Sequence, residues 1–393
     1  MAAIPSVPNA VQAQTPALDT SDRPWDLARA PRIPVARPRL APLEAALPYL
    51  HAIDDARTYS NFGPVNARLE DRFGAHFGLP AGHVVTCNNA TTGLTLALQA
   101  AAARGGHYCV MPAWTFAATA HAAIAAGLTP FLVDVDPSSG ALTSQIAEAA
   151  LREAPGQVAA IVPVAPFGQP LAPETWDLLQ AMSGVPVVID AAAGFDALRP
   201  GAAPAVVSLH ATKALGIGEG GFVISRDPAV IADIRRRANF GFDGTRDATL
   251  SGCNGKLSEY GAAFGHAALD LWPLQRSRHL GVLGYYRAAF MDLPTLTMAH
   301  GLGDAWTCTT ANIEAEAGAI AEIERRLAYA GIATRRWWGR GLHGHQAFRD
   351  LPRTELAVSE ALAARTLGLP CFPEIDIAAL DEVIAIVRGV LIP

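Results

Sequence analysis

Short apolar stretches and longer amphipathic stretches alternate through the middle of the chain. The apolar stretches are rich in Val and bounded by turn residues, as buried strands are. The predicted strands are His83–Cys87, Tyr108–Met111, Pro130–Val135, Ala159–Val164 and Val185–Asp190. The predicted helices between them are Thr91–Ala103, Thr115–Ala126, Ser144–Ala154 and Ala172–Met182. Strands and helices that alternate at this spacing predict an α/β fold: a mostly parallel sheet with helices on both faces.

The pattern changes on both sides of this alternation. Leu43–Ala56 and Val65–Phe77 have apolar residues at helical spacing, with the turn Asn61-Phe-Gly-Pro64 between them. Val206–His210 and Phe222–Ser225 are predicted strands joined only by a loop, so one of their neighbours is expected to be antiparallel. The predicted C-terminal helices are Leu257–Leu271, which is expected to link two lobes, Ile313–Ala330, Ala357–Leu367 and Ile377–Val390.

The length of the chain favours more than one lobe. A chain of 393 residues is too long for one small core. Residues 1–32 are rich in Ala, Pro, Ser and Thr without periodicity, which predicts a flexible N-terminal arm. We therefore expect a large domain over residues 33–271 and a smaller C-terminal α+β domain over residues 272–393.

Composition excludes several classes of protein. The net charge is −6, from 30 basic and 36 acidic residues, which argues against a dedicated nucleic-acid binder. No apolar run approaches the ~18–20 residues of a membrane span. The five cysteines are scattered without a CxxC pair, which is typical of reduced thiols in a cytoplasmic protein rather than of a disulfide framework or a zinc site.

One lysine stands in a setting that is typical of catalysis. The segment Ser208-Leu-His-Ala-Thr-Lys213 follows an apolar stretch that ends at Asp190, the position where ligands of open α/β sheets bind. An acid, a serine and a lysine at neighbouring strand ends are what a pyridoxal phosphate site requires. The acid keeps the pyridine nitrogen protonated, the serine helps to hold the phosphate, and the lysine forms the Schiff base. A surface lysine and a capping aspartate are the alternatives.

Two further segments bear on phosphate binding. Ala90, Thr91 and Thr92 lie between a predicted strand and a predicted helix, where free N–H groups suit a phosphate and the Thr91 hydroxyl can add to them. A plain helix cap is the alternative. Gly216-Ile-Gly-Glu-Gly-Gly221 matches the dinucleotide fingerprint in letters only, because a predicted strand follows it instead of a helix.

These residues belong to a series of motifs that runs from about residue 33 to the C-terminus. The series is Ile33-Pro-Val-Ala-Arg-Pro38, Ser60-Asn-Phe-Gly-Pro64, Asn88-Asn-Ala-Thr-Thr-Gly-Leu94, Pro112-Ala-Trp-Thr-Phe-Ala-Ala-Thr119, Phe131-Leu-Val-Asp-Val-Asp-Pro137, Phe167-Gly-Gln-Pro170, the lysine segment and Gly252-Cys-Asn-Gly-Lys-Leu-Ser-Glu259. Together they resemble the DegT/DnrJ/EryC1/StrS family of pyridoxal-phosphate-dependent sugar aminotransferases. The resemblance implies fold type I, the fold of the aspartate aminotransferase class.

The resemblance also implies roles for other residues. Phe116, with Trp114 as the alternative, matches the aromatic position that stacks on the cofactor ring. Asn254 and Lys256 match an element that reaches the cofactor phosphate of the partner subunit, which implies a homodimer with shared active sites.

Three residues are expected to face the substrate. Trp338 and His343 lie in segments that resemble the family's substrate-facing segment, and Asn61 lies in the motif before Pro64. A surface loop is the alternative for the segment with His343; its paired histidines could also suggest a metal, but no third ligand cluster accompanies them.

The implied activity is transfer of an amino group from glutamate to a nucleotide-linked 4-keto-6-deoxy sugar, with pyridoxal 5'-phosphate as cofactor and pyridoxamine 5'-phosphate as intermediate. Two residues depart from the family pattern: Ala193 and Ala165 stand where most relatives have polar residues. Other activities therefore stay open. They are an aminotransferase or dehydratase that acts on a cyclitol or another ketone, and a catalytically silent cofactor-binding regulatory protein.

Overall fold

A sheet of parallel and antiparallel strands forms the centre of the larger lobe in the computed structural model, which describes residues 31–392. The predicted N-terminal arm lies outside the described residues except for Pro31 and Arg32. The strands of the sheet are β1 (Val84–Cys87), β2 (Tyr108–Pro112), β3 (Thr129–Val133), β4 (Val158–Ile161), β5 (Ile189–Asp190), β6 (Ala205–Ser208) and β7 (Gly221–Ile224). Their order is β1-β7-β6-β5 in one group and β3-β2-β4 in the other. Parallel bridges from Ile161 to Val187 and from Val164 to Asp190 join the two groups.

Strand directions follow the lengths of the connections. β2 is parallel to β3 and β4, and β5 is parallel to β6. β7 is antiparallel to both β6 and β1. A parallel neighbour requires a crossover, usually a helix, and only a loop joins β6 to β7. The predicted antiparallel neighbour is therefore confirmed.

Helices cover both faces of the sheet. They are α1 (Leu43–Ala56), α2 (Pro64–His76), α3 (Ala90–Ala101), α4 (Ala117–Ala125), α5 (Ser144–Glu153), α6 (Pro173–Ser183), α7 (Pro228–Ala238) and α8 (Glu259–Asp270). Neighbouring strand residues face opposite sides of a sheet. Val110 accordingly packs in one core with Trp176 of α6, and Met111 packs in the other with Leu94 of α3 and Ile234 of α7. The predicted α/β layering is confirmed.

The smaller lobe is built around a two-stranded sheet. Its elements are α9 (Trp272–Phe290), β8 (Ala311–Glu314), α10 (Ala317–Tyr329), α11 (Ala357–Arg365), β9 (Thr366–Leu369) and α12 (Ile377–Leu391). Two helix predictions were wrong at one end. The predicted helix Ile313–Ala330 begins in β8, where buried and half-buried residues alternate as they do in a strand. The predicted helix Ala357–Leu367 ends in β9, which pairs with β8.

The predicted helix Leu257–Leu271 is α8, and a second helix follows it. α8 begins after Ser258, whose side chain accepts a hydrogen bond from the Gly261 amide, and it ends at Asp270. α9 follows directly, with Pro273 in its first turn, where a missing N–H is tolerated. The sequence prediction missed α9. None of the helices within residues 31–392 is long and apolar enough to cross a membrane.

One C-terminal segment returns to the larger lobe. Leu342, Phe348 and Leu356 belong to the core on the α3 face of the sheet. The Leu132 amide of β3 donates to the Pro352 carbonyl at 2.9 Å, and the Thr354 amide donates to the Leu132 carbonyl at 3.0 Å. The segment therefore lies along the outer edge of β3.

Candidate active site

The structure brings most of the predicted site residues to one edge of the sheet. Asp190 ends β5 and Ser208 ends β6, and these strands are parallel. Ser208 lies opposite Gly221, the first residue of β7, and Gly221 also lies opposite Cys87, the last residue of β1. The loop with Lys213 leaves this edge after Ser208, and α3 starts there after β1.

Asp190 is a buried carboxylate, with 7% of its surface exposed. Its Oδ2 accepts a hydrogen bond from the Thr119 hydroxyl at 2.8 Å, and its Oδ1 accepts one from the Ala192 amide at 3.1 Å. Burial raises the pKa of Asp190, while these two hydrogen bonds and the charge of Lys213 oppose the rise. A cation placed against the carboxylate would favour its ionised form further.

Lys213 is the cation whose charge lowers the pKa of Asp190, but the two side chains do not form an ion pair. The Lys213 amine makes no hydrogen bond or ion pair with any residue in 31–392. Burial lowers the pKa of Lys213, and attraction to Asp190 opposes that shift. At a given pH a larger fraction of this amine is therefore neutral, the form that attacks a carbonyl carbon.

The start of α3 leaves two amides available. The Asn89 side chain accepts a hydrogen bond from the Thr92 amide at 2.8 Å and so caps the helix. The helix cap that the sequence left as the alternative is thus present at the Thr92 amide. The amides of Ala90 and Thr91 donate to no described group. A helix N-terminus with free amides is suited to a phosphate.

The neighbouring backbone comes close to this helix start. A Cβ atom on Gly221 would lie 2.8 Å from the Ala90 nitrogen, so a side chain at position 221 would crowd the amide. Ser208 is 7% exposed, and its hydroxyl oxygen accepts a hydrogen bond from the His210 amide at 3.2 Å. Its own proton remains available for an anion.

These observations fit the pyridoxal phosphate that the sequence motifs imply. Among the described residues, Asp190 is a buried carboxylate without an ion pair, which matches the ring nitrogen, and Lys213 has no partner, which matches the aldehyde. Two free helix-start amides and a serine hydroxyl match the phosphate. The groups lie on adjacent elements of one sheet edge.

The two candidate aromatic residues differ in exposure. Phe116 is 60% exposed and lies one turn before Thr119, the residue that contacts Asp190. Trp114 is 4% exposed and packs edge-on against Trp338, with 5.2 Å between ring centres. Phe116 is thus the more exposed of the two rings, and its stacking on the cofactor stays a prediction.

The loop with Asn254 and Lys256 lies against the start of α3 in the same chain. The Asn88 amide donates to the Gly255 carbonyl at 2.8 Å. The exposed Asn254 has its carbonyl oxygen 3.4 Å from the Asn88 side-chain nitrogen. The Lys256 amine is buried without a hydrogen-bond partner among the described residues, and it lies 4.5 Å from the centre of the Phe240 ring.

The three expected substrate residues are dispersed. Asn61 has a left-handed φ of 64°, which is uncommon outside glycine. Trp338 stacks on Phe167 with 3.9 Å between ring centres. His343 has a buried Nδ1 without a partner in the described part of the chain, and its Nε2 lies 3.8 Å from Glu360. No hydrogen bond or ion pair joins Asn61, Trp338 or His343 to Asp190 or Lys213.

The two departures from the family pattern lie beside the acid. The Ala165 amide donates to the Asp190 carbonyl at 2.9 Å. The Ala193 carbonyl approaches Gly168 so closely that a Cβ atom there would lie 2.4 Å from it. The backbone of both residues is thus in close contact with the segments around Asp190. Among residues 31–392, no group of three or more His, Cys, Asp and Glu is placed to bind a metal.

Sequence reasoning missed Thr119. It is fully buried, it contacts Thr115 at 3.0 Å between hydroxyl oxygens, and it donates to Asp190. The available signal was its position at the end of the motif that begins at Pro112, with Thr115 one helical turn away.

Thr119→Val is expected to lower the turnover rate about tenfold or more, since a hydrogen bond to a charged group is lost while the shape is kept. Because the hydroxyl lowers the pKa of Asp190, its loss should move the acidic limb of the pH–rate profile to higher pH. Thr119→Ser keeps the hydroxyl and is the matched control. An unshifted profile in the valine variant would count against this contact.

Comparisons with known proteins show the family of this chain. The DegT/DnrJ/EryC1/StrS aminotransferase family matches residues 43–388. Protein Rv3402c of Mycobacterium tuberculosis H37Rv is 32% identical over 385 residues, covering 92% of this chain and 90% of that protein. The dTDP-4-amino-4,6-dideoxy-D-glucose transaminase of Shigella dysenteriae is 26% identical, covering 91% of this chain and 98% of that protein.

A solved structure shows the same fold. DesI, crystallised in the presence of its TDP-sugar product, superposes with a TM-score of 0.80 at 31% identity, covering 91% of this chain and 92% of DesI. The named relatives include nucleotide-sugar aminotransferases. The fold is that of the type I pyridoxal-phosphate-dependent enzymes. The chain belongs to the DegT/DnrJ/EryC1/StrS aminotransferase family and is a pyridoxal-phosphate-dependent aminotransferase.

Proposed function

We propose that the protein transfers an amino group from glutamate to a nucleotide-linked 4-keto-6-deoxy sugar. The observation that carries this proposal is the arrangement of Asp190 and Lys213. Asp190 is a buried acid at the end of β5, and Lys213, in the loop after the adjacent β6, has no partner within residues 31–392. The free amides at the start of α3 support the same site. Relatives named for nucleotide-sugar substrates support the substrate class.

The chain's own residues divide the work at this site. Pyridoxal phosphate, when bound, supplies an aldehyde that carries the amino group and a ring that withdraws electrons from the reacting carbon. Asp190 holds the proton on the ring nitrogen, and Thr119 and the Ala192 amide fix the orientation of its carboxylate. Lys213 would hold the cofactor covalently, and its amine would move a proton to and from the reacting carbon.

Other residues position the cofactor. The phosphate would be held by the amides of Ala90 and Thr91, the hydroxyls of Thr91 and Ser208 and the positive end of the α3 dipole. Phe116 stacks on the ring with its exposed face.

We assign substrate contacts to Asn61, Trp338 and His343. The strained backbone at Asn61 supports a functional role, since such conformations are common at binding sites. The unpartnered Nδ1 of His343 supports a polar ligand nearby. Trp338, which follows Arg335 in the chain, presents a flat aromatic ring that stacks on Phe167.

The protein is proposed to act as a homodimer whose sites combine residues of both subunits. Asn254 and Lys256 reach the cofactor phosphate of the partner. The Lys256 amine without a described partner supports this assignment. Three aromatic residues beside the loop or its flanking residues are each about half exposed: Tyr59, Phe240 and Tyr260. Exposed apolar surface of this kind is typical of interfaces. The five free cysteines support a cytoplasmic location.

Mixing two inactive variants is expected to restore activity. One variant is Lys213→Ala and the other is the double variant Asn254→Ala/Lys256→Ala. Each mixed dimer then holds one intact site, so random exchange should restore about a quarter of the wild-type activity. Subunit exchange is verified by native mass spectrometry of tagged chains. A mixture that exchanges subunits and stays inactive contradicts the shared site.

The proposed reaction is tested by incubating the holoenzyme with L-glutamate and a dTDP-4-keto-6-deoxy sugar. Formation of 2-oxoglutarate and of an amino sugar, identified by mass spectrometry, is the expected result. Conversion of the cofactor by glutamate without sugar turnover would redirect the search to cyclitols and other ketones. No conversion of the cofactor by any amino acid would identify a silent cofactor-binding protein.

A further inference from the structure

A cleft beside Lys213 contains polar side chains that the proposed mechanism does not use. It is open to solvent. Its walls are the segment Ala36–Ala41, the loop Ala211–Gly216, the junction of α8 and α9 and the segment Cys371–Pro373. The cleft therefore reaches the lysine from the side of the smaller lobe.

Arg37 supplies an unused positive charge in this cleft. It is exposed, and it forms no ion pair with any described residue. The other arginines of the same segment are engaged: Arg32 pairs with Glu382 at 2.6 Å and Arg39 pairs with Glu374 at 2.9 Å.

The backbone before Arg37 is held firmly. The Cys371 amide donates to the Val35 carbonyl at 2.9 Å, and the Ala333 amide donates to the Ile33 carbonyl at 2.9 Å. These two contacts hold the backbone of the segment, so Arg37 is attached at the mouth of the cleft.

His279 supplies a buried polar group without a partner. It is 5% exposed, it lines the cleft, and its Nδ1 has no hydrogen-bond partner among the described residues. Burial lowers the pKa of His279 to about 4, so the ring is neutral near pH 7. Gln275 lines the same cleft one helical turn earlier, on the same face of α9. Buried polar groups are normally satisfied, so the cleft is suited to a polar ligand.

We propose that this cleft binds the side-chain carboxylate of an acidic amino donor. Arg37 pairs with the carboxylate through its planar guanidinium, and Gln275 and His279 complete the hydrogen bonds to it. The donor's amino group must reach Lys213, so its α-carbon lies at the lysine end and its side chain extends into the cleft. The assignment rests on the proposed function, because it requires an amino acid to deliver the nitrogen.

The test follows the half-reaction of the holoenzyme with L-glutamate through the change in cofactor absorbance. Arg37→Met should raise the half-saturating glutamate concentration about 10- to 100-fold, since a charge-assisted contact is lost. The rate at saturation should stay within about threefold of wild type, because the contact is made equally before and during the reaction. L-Alanine, which has no side-chain carboxylate, should react alike with both proteins. Arg32→Met, on the same segment but outside the cleft, is the matched control.

Direct binding gives a second readout. Glutarate, which has two carboxylates and no amino group, should bind the wild-type holoenzyme in a calorimetric titration and bind Arg37→Met far more weakly. Gln275→Leu should weaken it as well. dTDP should bind all variants equally.

Three results would overturn the assignment. The first is that wild type and Arg37→Met have the same half-saturating glutamate concentration and the same affinity for glutarate. This result would overturn the assignment of the cleft and leave the proposed function intact. Loss of dTDP binding in place of glutarate binding would assign the cleft to a diphosphate. A wild-type cofactor that no amino acid converts would remove the proposed function and the donor site with it.

Discussion

Lys213→Ala is expected to lower transamination by about 10⁴-fold or more, because one side chain provides both the covalent attachment and the proton transfer. The variant should still bind pyridoxal phosphate, since the free amides of Ala90 and Thr91, the Ser208 hydroxyl and Asp190 remain. The rate is measured as 2-oxoglutarate formed from glutamate, and occupancy is measured after dialysis.

The lysine content of the chain makes this prediction unusually sharp. The sequence contains two lysines, Lys213 and Lys256. Borohydride should fix the cofactor on Lys213 in the wild-type protein, and peptide mapping distinguishes it from Lys256 without ambiguity. Lys256→Ala, which keeps Lys213, is the control and should still yield the fixed adduct. Near-normal turnover in Lys213→Ala would remove the lysine from the mechanism.

Asp190→Asn is expected to lower turnover by about 10²-fold or more, the scale of a missing electrostatic stabiliser. An amide keeps the size of the side chain but carries no charge to hold a proton on the ring nitrogen. Circular dichroism and cofactor occupancy should show that the fold is kept.

A comparison with Thr119→Val separates charge from orientation at Asp190. The asparagine variant loses the charge and should show no recovery at any pH. The valine variant keeps the charge and should recover above the shifted pKa. Unchanged rates in Asp190→Asn at full occupancy would withdraw the role from Asp190.

The larger lobe was predictable because its strands are continuous buried runs with helices between them. The strand that ends at Asp190 and the strand that ends at Ser208 could be recognised from local sequence. Their adjacency follows from parallel strand order. Even the reversed strand β7 could be anticipated, since its connection to β6 is too short for a crossover.

The smaller lobe was less predictable because its strands depend on distant pairing. Glu314 of β8 pairs with Thr366 of β9, and each strand has only four residues beside a helix. Residues of both strands were therefore assigned to the neighbouring helices, because their apolar positions also fit a helical spacing. α9 carries mixed polar and apolar residues, and its contacts with other elements determine which of them are buried.

Several side-chain contacts of the candidate site could not be predicted from the sequence either, because they join distant parts of the chain. Residue types predicted Asp190 and Lys213, but the hydrogen bond from Thr119 joins residues 71 positions apart. The cap that occupies the Thr92 amide depends on the rotamer of Asn89. Arg37 and His279 meet at one cleft only because the N-terminal segment crosses the smaller lobe.

The return of residues 342–356 to the larger lobe has a consequence for synthesis on the ribosome. β3 is the last strand on its side of the sheet, and Pro352 and Thr354 satisfy the backbone of Leu132 there. Until those residues have left the exit tunnel, β3 presents open hydrogen-bonding groups to other nascent chains. The larger lobe thus cannot cover the edge of β3 with its own residues, and the C-terminal part of the chain protects that edge against aggregation.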